Sequence, residues 1–562
     1  MTRRRNGTWS VFGLLVIIAL VASACTATPS GPSTQTTAPS NVDANGALVL
    51  NLGTEPDSTD PQYGTFTNEI AVMELVFEGL MSFDAATSKP VPAAASKMPD
   101  VSADGLKYTY TLRDGLKYSD GTALTAQNFE FTYKRACDPS AAGDYAFVVY
   151  YVVGCEAYNT MDTKKATAAE LAAARAKVGV KALSNTQLEF TLVEPAPYFV
   201  SITALWIGWP ARESDIQKGG DKWTEVPTYI GNGPFKLTEW KHNEKMVFER
   251  SDTYRKKIQI KTLTYQMINE ASVSFAAYRN NEMDIVGVTA PDLRTVEGDS
   301  ELKAQVVDNN GTCTNYYGFN TRRPPFDDIN ARIAFSKSFD RAALMKDVVQ
   351  IGKVADGGFI PPSMPGYDNT DTGQKYDVAA AKAAFDKVSP ASKAGFEGLK
   401  YTYSATAIGK TRAEWVQAQW KTNLGVTIEL DPVQSTAYTA LFKKGKDSPQ
   451  LFLLGWCADF PDQQNWHTTV WATGGFSADR TGYSSKAFDD LVKKADKEPN
   501  SKTRDDLYNQ AGKLLSADAP AAWAWYSGSK VLVKPWVKGV AFNGLAQLPG
   551  LYKLEEMYVA KH

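Results

Sequence analysis

Leu451-Phe452-Leu453-Leu454-Gly455-Trp456-Cys457-Ala458-Asp459-Phe460-Pro461-Asp462 is the most informative stretch of this 562-residue chain. Its apolar start, Leu451 to Leu454, reads as a buried strand. The strand runs straight into a carboxylate beside a tryptophan and a cysteine. Two readings compete for Asp459: a turn-forming aspartate at a strand end, or an acid that faces a cleft and pairs with a ligand cation.

Composition narrows the choice. With 60 Lys and Arg against 62 Asp and Glu the formal charge is −2, so the basic face that a nucleic-acid binder needs is missing. Hydrophobic residues at 43% and charged residues at 22% suit ordinary soluble domains, and the length suggests several of them. Aromatics reach 11%, which also suits concave ligand sites.

Residues 1–24 have the layout of a secretory signal. Arg3, Arg4 and Arg5 precede an apolar run from Val11 to Val21, followed by the small residues Ala22-Ser23-Ala24. That run falls short of the roughly 20 residues of a membrane span. Cys25 directly after the small residues resembles a bacterial lipobox, which makes it the expected acylated residue, although Ala22 stands where Leu is usual. Residues 25–46 hold Thr, Ser, Pro, Ala and Gly with little apolar bulk and read as a flexible tether.

Four cysteines remain: Cys137, Cys155, Cys313 and Cys457. An exported chain permits disulfides, and four cysteines allow three pairings, of which spacing favours only the short Cys137/Cys155 loop. A zinc site is the competing reading, but there is no CxxC and the three histidines (His242, His467, His562) lack ligand spacing. No metal and no cofactor are expected.

Alternation marks strands at Ala47 to Gly53, Lys107 to Leu112, Gln187 to Val193 and Lys245 to Glu249. Helical spacing relates Trp415, Ala418, Trp420 and Leu424 up to Gly425; Phe488, Leu491 and Val492; and Leu507, Ala511, Leu514 and Leu515. Short strands among such helices predict an α/β body. Two catalytic motifs fail on inspection. Gly409-Lys410-Thr411 opens a helix after a strand, but the earlier glycine of a phosphate loop is replaced by Ser404. Ser527-Gly528-Ser529-Lys530 fits the S-x-x-K of serine cell-wall peptide hydrolases, without an S-D-N partner. The chain is not expected to be an enzyme.

The Gly455-Trp456-Cys457-Ala458-Asp459-Phe460 segment resembles the G-W-C-A-D-Y stretch of bacterial oligopeptide-binding proteins, the extracellular receptors of ATP-driven peptide importers (extracellular solute-binding protein family 5). The likeness extends to Phe77-Glu78-Gly79-Leu80, Leu112-Arg113-Asp114-Gly115, Lys117-Tyr118-Ser119-Asp120-Gly121-Thr122, Glu194-Pro195-Ala196-Pro197-Tyr198-Phe199 and Val533-Lys534-Pro535-Trp536-Val537. It implies a two-lobed α/β periplasmic-binding-protein-like fold with two hinge strands and a cleft between the lobes. Residues 47–67, 197–312 and 528–562 would form lobe I, 68–196 an inserted subdomain, and 313–527 lobe II. It also implies a Cys313–Cys457 disulfide, leaving Cys137–Cys155 as the second.

In this family the aspartate takes the peptide's terminal ammonium, a role that falls to Asp459. The resemblance places Gly455 and Cys457 on one side of the ligand and Thr54, Glu55 and Pro56 on the other, with Trp456, which could stack on a ring or sugar face, and Tyr316 also among the candidate ligand residues. The implied partners are an oligopeptide, an ABC permease and, through Cys25, the outer face of the cytoplasmic membrane, with no nucleic acid and a monomeric state. One departure stands out. Leu453, Gly409 and Val349 occupy positions where relatives that take short peptides place basic residues for the far carboxylate. Longer peptides, another cation such as Arg412, or a non-peptide ligand (an oligosaccharide, glycopeptide or haem-like molecule) are the alternatives.

Overall fold

Among the described residues, eleven strands join in one sheet that runs through both lobes. They are β1 (Ala47–Asn51), β2 (Phe235–Lys241), β3 (Lys245–Arg250), β4 (Thr262–Gln266), β5 (Ile285–Val288), β6 (Val306–Phe319), β7 (Lys353–Val354), β8 (Lys400–Ser404), β9 (Glu429–Val433), β10 (Leu451–Cys457) and β11 (Ala521–Val533). Their order is β9-β8-β10-β6-β11-β5-β1-β4-β3-β2, with β7 paired to β11 off this path. The computed structural model describes residues 41–562 except 142, 144, 435, 436, 439, 440, 443, 444, 542–544 and 546–552. The expected signal, most of the tether and the acylation site at Cys25 lie outside the described residues.

The two lobes follow from the length of β6 and β11. Val306 to Asn310 pair with Leu532 to Gly528 beside β5, whereas Thr314 to Gly318 pair with Tyr526 to Ala521 beside β10. Register shifts separate these halves, and such irregularities bend a strand and raise its twist. Gly311 sits at the break: a Cβ there would meet the Ser527 carbonyl oxygen at 2.7 Å, so any larger residue would push the crossing strands apart.

Each lobe buries apolar side chains against its part of the sheet. In the second lobe Trp466, Trp471 and Trp523 pack on one face and Tyr317, Phe335, Tyr401 and Trp420 on the other. The helical spacings read from the sequence appear as helices Ala407–Leu424, Lys486–Lys497 and Ser501–Asp518, the first ending at left-handed Gly425. In the first lobe one core runs from Leu48, Phe248 and Leu263 into the insertion. There Lys107–Thr111 and Gln187–Thr191 are the central pair of a four-stranded antiparallel sheet.

Two boundaries differ from expectation. Helix Thr67–Val76 spans the expected start of the insertion at residue 68 and packs on lobe I: Tyr265 Oη donates to the Ala71 carbonyl at 3.4 Å, and Gly233 N to the Val76 carbonyl at 2.8 Å. The end of the expected tether is fixed, not free. Asp43 N donates to Val559 O at 2.8 Å and Lys561 N to Asn41 O at 2.9 Å, with Val42 bridged to Ala560. Backbone pairing with the C-terminal strand offsets the ordering entropy that composition alone cannot. Among the described residues no helix is long and apolar enough to cross a membrane.

Cys137 is bonded to Cys155 and Cys313 to Cys457, the latter directly opposite each other on β6 and β10. Their sequence separations are 18 and 144. Loop-closure entropy then assigns about 3 kcal/mol to the first and about 5 kcal/mol to the second. Urea unfolding of Cys137→Ser/Cys155→Ser and Cys313→Ser/Cys457→Ser is expected to show the larger loss in the second variant; equal losses would refute the ordering.

Candidate functional site

β10 leaves the sheet at Cys457, with Ala458 N still donating to Thr312 O at 3.0 Å. Helix Gln463–Trp471 begins five residues after Ala458, capped by Asp462, which accepts from Gln464 N at 2.9 Å. Arg504 grips Asp462 through two bonds of 2.9 and 2.5 Å. That anchorage fixes Asn465 on the first turn. Its Oδ1 accepts from the Asp459 backbone N at 2.9 Å and its Nδ2 donates to Asp459 Oδ2 at 3.0 Å. Tyr145 Oη, from the insertion, donates to Asp459 Oδ1 at 3.3 Å.

Among the described residues no Lys, Arg or His pairs with Asp459. Burial pushes its carboxyl up to about 6, with the Asn465 and Tyr145 bonds pulling the other way. A carboxylate held out of water with only neutral donors lacks a counter-charge.

Asp459 lines a cavity of about 400 Å³ whose other walls come from helix Thr67–Val76, residues 77–84, Trp206, Trp209 and residues 254–258. The cavity is acidic. Its cations are already engaged: Arg255 pairs with Glu78 at 2.6 Å, Lys256 with Glu555, and Lys553 with Glu556 at 3.1 Å.

Next to Asp459, β10 has an open edge. β6 pairs with β10 from Leu451 to Cys457, but β8 reaches only Leu451 and Phe452. Antiparallel alternation turns the N–H and C=O groups of Leu453, Gly455 and Cys457 away from β6. Tyr438 Oη occupies both groups of Leu453, at 3.2 and 2.6 Å. Gly455 and Cys457 are exposed and offer their backbone groups to whatever enters.

The other candidates divide. Trp456 donates Nε1 to Asn465 Oδ1 at 3.3 Å and stacks on Phe476, centroids 5.4 Å apart, so one ring face is taken. Glu55 is turned to the β2–β3 hairpin, accepting from Trp240 Nε1 at 3.0 Å and Asn243 N at 2.7 Å and bonding His242 Nδ1 at 2.7 Å. Its carboxylate is not part of the Asp459 cavity. Thr54 is exposed and Pro56 buried, and the Thr54 carbonyl accepts from Asn68 Nδ2 at 3.2 Å. Tyr316 is a correction. It is 0% exposed, inside the second lobe's core, with Oη bonded to Ser477 Oγ at 2.6 Å, because its face of β6 packs against helices.

The rejected motifs have structural duties. Ser527 Oγ accepts from Asn315 Nδ2 at 2.9 Å while Lys530 pairs with Asp308 at 2.6 Å; three residues apart on one strand, they point to opposite faces. The Gly409 N–H is satisfied by Thr406 Oγ1 at 3.0 Å.

Asn465, Tyr145 and Phe460 were not singled out from the sequence. Phe460 is 3% exposed and joins the first lobe's core, stacked on Tyr198 at 6.3 Å. The insertion also meets the second lobe through Glu194–Lys497 at 2.7 Å and Gln464 Nε2 to Tyr151 Oη at 3.0 Å.

The family model of the bacterial extracellular solute-binding proteins, family 5 (middle part), matches residues 89–478. The chain belongs to this family. Family 5 members are binding proteins, and this chain is accordingly a solute-binding protein, not an enzyme. The oligopeptide-binding protein OppA of Bacillus subtilis (strain 168) is 30% identical over 557 residues, covering 96% of this chain and 98% of its own. The probable deoxycholate-binding periplasmic protein YgiS of Escherichia coli (strain K12) is 26% identical over 563 residues, covering 98% and 99%. The solved structure of the Escherichia coli murein tripeptide binding protein MppA matches with a TM-score of 0.75 at 26% identity, over 93% of this chain and 100% of that one. The family 5 fold is thus the two-lobed arrangement described above.

A raised carboxyl makes a signed prediction. Asp459 titrates near 6 in the folded chain and near 3.8 when exposed, so its penalty is fully present above about pH 6 and vanishes below about pH 4. Asp459→Asn is expected to raise the melting temperature of the ligand-free protein at pH 7.5 and to leave it unchanged near pH 4. Equal or lower stability of the variant at pH 7.5 would contradict the assignment.

Proposed function

We propose that this solute-binding protein captures oligopeptides outside the cytoplasmic membrane, tethered by a lipid on Cys25, and delivers them to an ABC permease as a monomer. The observation that carries the reading is Asp459: a carboxylate without a counter-charge, at the wall of a cavity and beside an open strand edge. An extended peptide entering a closed cleft must pair its backbone groups or lose several kcal/mol. Adding it as a strand along Gly455 and Cys457 meets that need without reading side chains. Its α-ammonium then supplies the charge that Asp459 lacks.

In this reading the first lobe and the insertion move as one body against residues 313–527, by bending β6 and β11 at Gly311 and Gly528. Phe460 seated among first-lobe side chains and the Glu194–Lys497 pair support a closed state. OppA of Bacillus subtilis and MppA of Escherichia coli, both named for peptides, support the ligand class. An acidic cavity favours an amine terminus over an anionic ligand of the kind that YgiS is named for.

The far end of the peptide needs an anion site, since Leu453, Gly409 and Val349 are not basic. Arg412 supports one. Its guanidinium lies 4.8 Å from the Trp525 ring centroid, and its Nε is buried without a partner, as are Tyr317 Oη and Tyr401 Oη nearby.

Calorimetry with a tetrapeptide mixture tests the reading. Asp459→Asn is expected to weaken binding roughly 30- to 4,000-fold, equivalent to about 2–5 kcal/mol, and to leave any oligosaccharide binding unaltered. Wild-type affinity should fall about tenfold per pH unit below about 6, where Asp459 protonates, and again above about 8, where the peptide's amine loses its proton. Arg412→Gln should weaken free-acid peptides and spare their C-terminal amides. Peptides that bind wild type and Asp459→Asn alike would end the proposal.

A further inference from the structure

The Asp459 cavity holds a second acid without a counter-charge. Glu74, on the cavity-facing side of helix Thr67–Val76, lines the same space, and among the described residues it has no hydrogen bond or ion pair. Among the described residues six acidic side chains line the cavity against three basic ones. Each basic side chain has its own carboxylate: Arg255 with Glu78, Lys256 with Glu555 and Lys553 with Glu556. Asp84 is held at the rim by Thr87, through both backbone N and Oγ1 at 2.9 Å. That leaves Asp459 and Glu74 as the two acids unmatched inside.

The helix does not need a carboxylate there. Ile70, Ala71, Met73, Leu75 and Val76 around it are buried apolar residues, and a leucine or methionine at position 74 would pack the helix equally well. Tyr265 lies near Glu74 but donates its hydroxyl to the Ala71 carbonyl. Glu74 is half-buried, and an acid partly withdrawn from water with no partner carries a desolvation cost that a ligand cation offsets.

We infer that Glu74 is a second cation-receiving subsite, and that the protein prefers ligands carrying two cationic groups: peptides with a lysine or arginine side chain close to the amino terminus. This rests on the proposed role of Asp459, which takes the α-ammonium while Glu74 takes the basic side chain. Both acids line one cavity of about 400 Å³, the space that the ligand's amino terminus and its neighbouring side chain would share. The apolar walls supplied by Leu75, Phe77 and Trp206 accommodate the aliphatic stem of such a side chain, leaving its charged head to the acid.

Proton traffic accompanies the binding. Burial pushes the Glu74 carboxyl up to about 8, so at pH 7 it is mostly protonated in the empty cavity and must ionise when a cation arrives. Tyr265 from β4 is the titratable group that interacts with it; Glu78, Asp84, Glu555, Glu556 and Asp459 line the same cavity, and Arg255, Lys256 and Lys553 are committed to other acids.

The test is calorimetric, with Ala-Ala-Ala, Lys-Ala-Ala and Ala-Lys-Ala as probes for wild type, Glu74→Gln and Glu74→Met, in pH 7 buffers of differing ionisation enthalpy. Wild type is expected to bind at least one lysine peptide roughly tenfold or more tighter than Ala-Ala-Ala, releasing close to one proton. Both variants should bind all three peptides within about twofold of each other, at the wild-type affinity for Ala-Ala-Ala, and release none. A lysine preference that persists in Glu74→Gln, or a wild type indifferent to lysine, overturns the Glu74 subsite while leaving the peptide reading intact. Failure of all three peptides to bind wild type overturns the peptide reading, and this inference with it. Melting curves of the two variants establish that each is folded.

Discussion

A half-buried carboxylate with no cation beside it among the described residues is the constraint around which this region is organised. Among the described residues Asp459 has only Asn465 and Tyr145 as donors, and neutral donors do not replace the hydration of a charge. To keep that acid in place the chain uses a sequence of supports. Cys457 is bonded to Cys313 across β6 and β10, Asp462 caps the following helix, and Arg504 holds Asp462. Asn465 then fixes both the backbone and the side chain of Asp459. The folded state therefore carries an unfavourable term, which in the proposed reading a ligand cation relieves and so converts pre-organisation into affinity.

The same stretch also leaves backbone groups unpaired beside the acid. β10 is paired along one edge and open along most of the other. Exposed strand edges invite pairing and are normally blocked; here the open residues are Gly455 and Cys457, directly before the charged anchor. The lobes share one sheet through β6 and β11, and the register shifts near Gly311 fall between the two halves of these strands. Phe460, one residue beyond the anchor, packs among first-lobe side chains, so the position of the acid and the approach of the lobes are mechanically linked.

Charge balance within the cavity matters more than the count of acids. Glu78, Glu555 and Glu556 are balanced by Arg255, Lys256 and Lys553, and balanced pairs contribute little field beyond their own neighbourhood. Asp459 and Glu74 are the exceptions. Glu55, by contrast, is a well-placed acid whose oxygens serve the β2–β3 hairpin, which is why proximity to the ligand-lining segment in the chain did not make it part of the cavity.

Local pattern was enough for much of this. Alternation in Ala47–Asn51 and Lys107–Thr111, the periodic apolar positions of Ala407–Leu424, and the abrupt carboxylate after Leu451–Leu454 were all legible, because backbone geometry imposes their periods on any sequence. The family resemblance extended that to Cys313–Cys457 and to the two-lobed sheet. Which face a residue takes was not legible where strands cross: Tyr316 neighbours the cysteine segment yet is turned into the core. Nor could the chain announce that residues 41–46 pair with its own C-terminus, or that Tyr145 reaches an acid 314 positions away. Glu74 reads in the sequence as one more helical glutamate. Its meaning arises only when packing closes a cavity around it and assigns every nearby cation to another acid. Secondary structure and motif are properties of neighbours along the chain, whereas desolvation and charge pairing are properties of neighbours in space, and only the folded structure decides who those are.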